Sequence, residues 1–236
     1  MTLLDRIAKG GQGEVWSAHD DDGNVYAVKV GDFKTLHTEW RALISVGSDH
    51  VVAGELLSEP TRKPALMAVE WIQGLTLAAF IRRHGPLPEE IASAITRQVC
   101  AGAEAIHQAG LVHRDIKPAN VMLEQATGRV VLIDLGYAQP PGPQRATSGT
   151  MAHMSPEQST GRSVSAADDV YAIQLLHAHM LLGRHPFRQH RETSVEAAAY
   201  IAESAEQTHR YATVAELVAD LPEPAPSDLL AALARV

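Results

Sequence analysis

The chain has 236 residues, with 20 Lys and Arg against 28 Asp and Glu, a net charge of −8 and one cysteine, Cys100. A chain this long buries ~70–75% of its unfolded surface and needs no disulfide staples, so one domain, or two lobes sharing a cleft, is the expected size class. The acidic balance without a Lys/Arg cluster excludes nucleic acid as the main partner, and no apolar run nears the ~20 residues needed to cross a bilayer, so no direct membrane insertion is expected. No secretory signal opens the chain, and Cys100 sits in an apolar periodic stretch where a buried thiol is the natural reading; both suit a cytoplasmic setting. The twelve histidines are scattered and show no metal-ligand spacing.

The first part of the chain reads as strands. Residues 3–8, 14–20 and 24–30 are short runs of apolar and β-branched types, broken by Gly10, Gly11, Gly13 and the pair Asp22-Gly23. That pair suits a tight hairpin turn. Residues 34–46 carry Leu36, Trp40, Leu43 and Ile44 at helical spacing. Strands are expected again at 51–58 and 65–71. From about residue 75 the pattern turns helical. A long helix over 88–109 opens on Pro88, Glu89 and Glu90 and closes at Gly110. Residues 121–124 and 129–133 predict a small hairpin, and 166–182 a strongly apolar helix. Shorter helices are predicted near 194–206, 212–220 and 226–234. Strands first and helices after define an α+β chain in two lobes, with Glu70–Gly74 as the natural hinge.

The densest chemistry lies in residues 113–120, HRDIKPAN. An Asp followed five residues later by an Asn, on a loop between a helix and a hairpin, can aim two oxygen-bearing groups into one cleft. The Asp115 carboxylate can orient or deprotonate an attacking hydroxyl. The Asn120 amide oxygen suits Mg²⁺, a hard cation. Lys117 can offset charge on a transferred group, and Pro118 stiffens the loop.

HRDIKPAN resembles the catalytic loop of eukaryotic-like (Hanks-type) bacterial Ser/Thr protein kinases, and Lys117 is the form typical of the Ser/Thr class. The resemblance implies a two-lobed protein kinase fold, with a small β-rich N-lobe over 1–71 and a mainly helical C-lobe over 72–236, together one kinase domain. It implies ATP and Mg (or Mn) as cofactors, and phosphoryl transfer to Ser/Thr hydroxyls of a protein substrate. Other motifs follow in order. Residues 8–15 (AKGGQGEV) resemble the glycine-rich loop, whose backbone N–H groups approach phosphates where no Cβ intrudes. Gly10, Gly11 and Gly13 supply that freedom, while Ala8 stands where the family has its first glycine. Residues 26–29 (YAVK) resemble the third-strand motif, with Lys29 on the α- and β-phosphates and Glu39 as its ion-pair partner on the next helix. In VEWIQG, Val69 is the gatekeeper, and Glu70 and Ile72 offer backbone groups to adenine. Val15, Ala27 and Met122 then sandwich the base. DLG at 134–136 resembles DFG and makes Asp134 a second Mg²⁺ ligand.

GTMAHMSPEQ at 149–158 resembles the end of an activation segment. The resemblance implies that Glu157 pairs with Arg210, that Thr150 contacts Asp115 and Lys117, and that Asp169 anchors the catalytic loop. The Arg114-Asp115 pair implies control by autophosphorylation at Thr147 or Ser148. Two departures stand out. Glu39 follows Lys29 unusually closely. The stretch from Phe187 to Arg210 has room for only one main helix, so the late helices are shortened. With Ala8 they motivate one alternative, an ATP-binding scaffold of the pseudokinase kind; a small-molecule kinase of related fold is a second, against which Lys117 and Ser155-Pro156-Glu157 speak.

Overall fold

A computed structural model describes residues 1–10, 13–143, 149–161, 163–186, 211–223 and 228–233. Five antiparallel strands form the N-terminal sheet: β1 (Thr2–Gly10), β2 (Gly13–His19), β3 (Val25–Gly31), β4 (Gly54–Leu56) and β5 (Ala65–Glu70), in the order β1-β2-β3-β5-β4. The β2–β3 turn closes at Asp20–Asn24, where Gly23 has a φ of 84° and the Asp20 carboxylate accepts from the amides of Asp22 and Asn24. One residue, Asp32, separates β3 from helix α1 (Phe33–Ser45), and its side chain caps the helix by accepting from Thr35 N. α1 lays Leu36, Glu39, Ala42 and Leu43 against the sheet. The strand expected over 51–58 is trimmed to Gly54–Leu56; Val51 and Val52 instead pack against Leu132 further along the chain.

Past Glu70 the chain enters the helical lobe through a strand the sequence did not suggest, β6 (Gly74–Thr76). It joins β7 (Val121–Glu124) and β8 (Val130–Leu132) in a three-stranded sheet, order β6-β7-β8. Thr76 ends the strand and caps helix α2 (Leu77–His84) through its hydroxyl. Helix α3 (Glu89–Gln108) starts on Pro88 and buries Ile91, Ile95, Val99, Cys100, Ala103 and Ile106. Each of the isoleucines and the valine among them contributes about 1.5–3 kcal/mol on full burial. Two 3₁₀ turns (Pro118–Asn120 and Met151–His153), a short helix α4 (Pro156–Ser159) and a small ribbon, β9 (Gly142–Pro143) with β10 (Ser163–Val164), shape the loops. Helix α5 (Ala166–Leu182) is apolar nearly all round and runs through the interior beside α3, as such a helix must. Short helices at Val214–Asp220 and Asp228–Leu233 pack on α3. The helix expected over 194–206 lies outside the described residues. Among the described residues, no helix is long and apolar enough to cross a membrane.

Candidate active site

The glycine-rich hairpin covers the cleft between the lobes. β1 and β2 pair with Ala8 opposite Val15 and Gly10 opposite Gly13. Gly13 has a φ of 136°, and a Cβ there would stand 2.3 Å from the Val30 carbonyl oxygen, so only glycine fits. Ala8, Gly10, Gly13, Val15, Lys29, Glu39, Asp115, Lys117 and Asp134 line a single cavity of about 290 Å³. Gly11 lies outside the described residues. Ala27, Glu70, Ile72, Met122 and Asn120 do not line that cavity. Ala27 sits on β3 opposite Val69, and Met122 on β7, both packed against the core. Ile72 is buried between β5 and β6. The Glu70 carboxylate turns away to Arg129.

Lys29 holds the upper half of the site together. Its ammonium pairs with Glu39 and lies 3.1 Å from Asp134 Oδ1. Because Asp32 alone joins β3 to α1, the helix starts early enough for its second turn to bring Glu39 over Lys29; the short spacing is absorbed by the loop. Burial pushes the Lys29 ammonium down, but the two carboxylates outweigh it and hold Lys29 above the usual lysine value. Burial likewise pushes Asp134 up, and Lys29 together with the Gly136 amide more than reverses this, leaving Asp134 below the ordinary carboxylate range.

The lower half is built around Asp115, which is 3% exposed. Its carboxylate accepts from Lys117 Nζ at 2.7 Å, from the Thr150 backbone amide at 2.7 Å and from Asn120 Nδ2 at 2.9 Å. Lys117 Nζ also donates to the Thr150 hydroxyl. Asn120 Nδ2 makes a second bond, to the Asp115 carbonyl at 2.9 Å. Both of its donor hydrogens are thereby used, and no donor among the described residues reaches Asn120 Oδ1. Beneath the loop, Asp169 on α5 accepts from the amides of His113 and Arg114 and from His107 Nε2, each at 2.8 Å.

Arg114 (φ 71°) and Asp134 (φ 72°) are the two non-glycine residues with positive φ among the described residues, and both sit in this site. Such conformations gather where a surrounding structure holds a functional group in place.

Several residues of the site escaped the sequence reading. Tyr137 lines the cavity, directly after DLG, and adjacency to that motif could have found it. Arg129 bonds Glu70 at the hinge and Glu124 on β7, with its guanidinium 3.2 Å from Glu124 Oε1. Gln158 reaches the Arg114 carbonyl at 2.8 Å. Nothing local in the sequence marks either. The histidines are also less scattered than they read: the rings of His153, His179 and His185 meet with centroids 4.9–6.3 Å apart. Among the described residues no group of three or more His, Cys, Asp or Glu is arranged to hold a metal ion. Arg210, Thr147 and Ser148 lie outside the described residues, so the expected Glu157–Arg210 pair and both modification sites do too.

This fold and cleft define the class. A family model of the protein kinase domain matches residues 1–231, and the chain belongs to that family. It is 36% identical over 225 residues to the serine/threonine-protein kinase drp72 of Corynebacterium efficiens, covering 87% of this chain and 43% of that protein. It is 34% identical over 212 residues to PknA of Corynebacterium glutamicum, again a serine/threonine-protein kinase, covering 81% of this chain and 45% of the relative. With PkwA of Thermomonospora curvata, named a probable serine/threonine-protein kinase, identity is 34% over 199 residues, or 78% of this chain and 26% of that protein. The chain thus spans less than half the length of these relatives.

Proposed function

We propose that this chain transfers the terminal phosphoryl group of ATP to serine or threonine hydroxyls of proteins, with a turnover in the range of ~1–100 s⁻¹. The observation that supports it is the meeting of two sets of side chains in one cleft. Lys29, Glu39 and Asp134 stand on the nucleotide side, and Asp115, Lys117 and Thr150 on the acceptor side. Residues 1–71 and 72–236 act as the two lobes of one domain.

Asp115 is the base: it orients the acceptor hydroxyl and takes its proton as the new P–O bond forms. Lys117 offsets the charge that accumulates on the transferred group. Lys29 holds the α- and β-phosphates, and Glu39 fixes the direction of its ammonium. Gly10 and Gly13, with Ala8 beside them on the cavity wall, leave room for the phosphates, and Gly11 adds backbone freedom to the loop. The Glu70 carbonyl and the Ile72 amide read the adenine edge, while Val15, Ala27 and Met122 enclose its faces.

Asn120 Oδ1, which no donor among the described residues reaches, and Asp134, whose carboxylate stays below the ordinary proton affinity, are the oxygens that would hold Mg²⁺ or Mn²⁺. Bound there, the cation supplies charge neutralisation at the phosphates. Thr147 or Ser148 takes phosphate in cis or trans, and the cytoplasm supplies the nucleotide.

The test uses labelled ATP, Mg²⁺ and a generic protein substrate. Wild type is expected to label the substrate or itself. Asp115→Ala should lower transfer ~10²–10⁴-fold while ATP still binds, and Asp134→Ala should abolish metal-dependent transfer. Nucleotide binding without any transfer by wild type would leave the scaffold reading standing. Transfer confined to small hydroxyl compounds would select the small-molecule kinase.

A further inference from the structure

The peptides on either side of Arg114 are both gripped by buried side chains. Arg114 adopts a φ of 71°, a conformation that costs a non-glycine residue free energy and persists only when its neighbours hold it. The amide of Arg114 is held by Asp169 Oδ1 at 2.8 Å. Its carbonyl accepts from Gln158 Nε2, also at 2.8 Å. Gln158 is 1% exposed. Its own amide is fixed by the Ser155 hydroxyl oxygen at 3.0 Å, and that hydroxyl donates to the buried Asp168 carboxylate at the start of α5. Gly149 closes the other side of the same carbonyl: its φ is 117°, and a Cβ there would lie 2.7 Å from the Arg114 oxygen.

We propose that Gln158 is a positioning residue for the phosphoryl transfer proposed above: by clamping the Arg114 carbonyl it sets the orientation of Asp115. The inference rests on that reading. The Arg114 carbonyl and the Asp115 amide share one peptide plane, so the donor that holds the carbonyl restrains ψ of Arg114, the torsion that sets where Asp115 is placed. Without the Gln158 donor, this carbonyl loses a hydrogen bond that restrains the turn into Asp115. Drift about that torsion draws the carboxylate away from Lys117 and the Thr150 amide. A misplacement near 1 Å costs ~10²-fold in rate. Lys29, Glu39 and Asp134 touch neither Gln158 nor the clamped carbonyl, so nucleotide binding is spared. The clamp also makes catalysis conditional on the 149–158 segment being docked, since Thr150 and Gln158 grip adjacent residues of one loop.

Two variants test this, Gln158→Met, which keeps the shape and removes the donor, and Gln158→Glu. The Met variant is expected to lose ~10–100-fold in kcat with KM for ATP within about 2-fold of wild type. In the Glu variant a carboxylate faces the carbonyl at high pH, and burial raises its proton affinity. Its kcat should climb relative to wild type as pH falls from 8 to 6, when the protonated carboxyl donates again. A Met variant with wild-type kcat, or a Glu variant whose pH profile runs parallel to wild type, overturns the proposal. If the Met variant does not melt cooperatively, the Glu profile decides. Should wild type transfer no phosphate at all, the kinase reading fails by itself. Amide exchange at Arg114 and Asp115 then tests the clamp: faster exchange in the Glu variant at pH 8 supports it, and unchanged rates overturn it.

Discussion

Lys29 is placed between two carboxylates, and the balance among the three sets both chemistry and stability. Glu39 is nearly fully buried, with 2% of its side chain exposed, against 17% for Lys29. Burial, and then the charge of Asp134, raise the Glu39 carboxyl above its ordinary value despite the pull of Lys29. Removing the lysine by Lys29→Met leaves two carboxylates facing each other without a cation. Breaking one partner of such a pair costs ~3–5 kcal/mol at neutral pH. The sign with pH follows from the raised group. Its stabilising effect is full below its unfolded value and is lost as pH rises through the folded one. The deficit of Lys29→Met relative to wild type should therefore shrink at pH 5 compared with pH 7.5, as urea unfolding will measure. A deficit that is constant or grows at pH 5 would show that packing, not charge, dominates. At this scale the sequence was most legible where one contiguous string brings side chains together, as at Asp115, Lys117 and Asn120. Glu39 was harder, because its register depends on where α1 begins, and the one-residue joint at Asp32 decides that. Gln158 and Arg129 were illegible because their partners lie 44 and 59 residues away.

Among elements, the periodic ones were readable and the short ones were not. α3 and α5 fall within a residue or so of the ranges their apolar patterns predict, since long faces packed on a core leave a regular trace. β6, β9 and β10 are two or three residues long and owe their existence to partners elsewhere, such as Gly74–Thr76 against Met122–Glu124. The β6-β7-β8 sheet matters because Arg129, just before β8, reaches the Glu70 carboxylate at the end of β5 and Glu124 on β7. Its guanidinium also donates to the Asp49 carbonyl at 3.4 Å. One side chain thus ties the hinge to the helical lobe. The pair is partly exposed, so screening by water limits it. A double-mutant cycle on Arg129→Gln and Glu70→Gln should give a coupling of ~0.5–1 kcal/mol that fades in high salt. Coupling below ~0.2 kcal/mol would mean that the hinge is set by backbone pairing alone. If the hinge reads adenine as proposed, Arg129→Gln should raise KM for ATP more than it lowers kcat.

On the scale of the whole molecule, histidines that the fold has buried weaken it toward acid. His153 follows Thr150 in the segment that docks on the catalytic loop and is 9% exposed. Its Nδ1 is buried without a hydrogen-bond partner. The groups that act on it are His185, from the stretch after α5, His179, from α5, and Lys117, from the catalytic loop; no carboxylate is among them. Asp168 and Asp169, the acids nearest on α5, are taken up by Ser155 and by the His113 and Arg114 amides. Burial first, and then the like charges, press the imidazole down to about 3 from an ordinary value of 6.5. A depressed folded value means that the unfolded chain binds the proton first. Stability is then full above pH 6.5 and declines as pH falls toward the folded value, by up to ~1.4 kcal/mol per pH unit for one such group. His177, also lowered chiefly by burial, adds in the same direction, with Glu89 offsetting part of it. Asp134, held low by Lys29 against burial, loses its contribution only at lower pH, while Glu39 and Asp168, both raised chiefly by burial, act in the opposite sense to the histidines, so the role of His153 is read from the difference between variant and wild type. His153→Phe keeps an aromatic ring in the pocket and removes the titration. Denaturant unfolding from pH 6.5 to about 4.5 should show a shallower fall for the variant than for wild type, with the curves diverging as pH drops. Parallel curves would mean that His153 binds its proton equally in the folded and unfolded chain and that acid acts elsewhere.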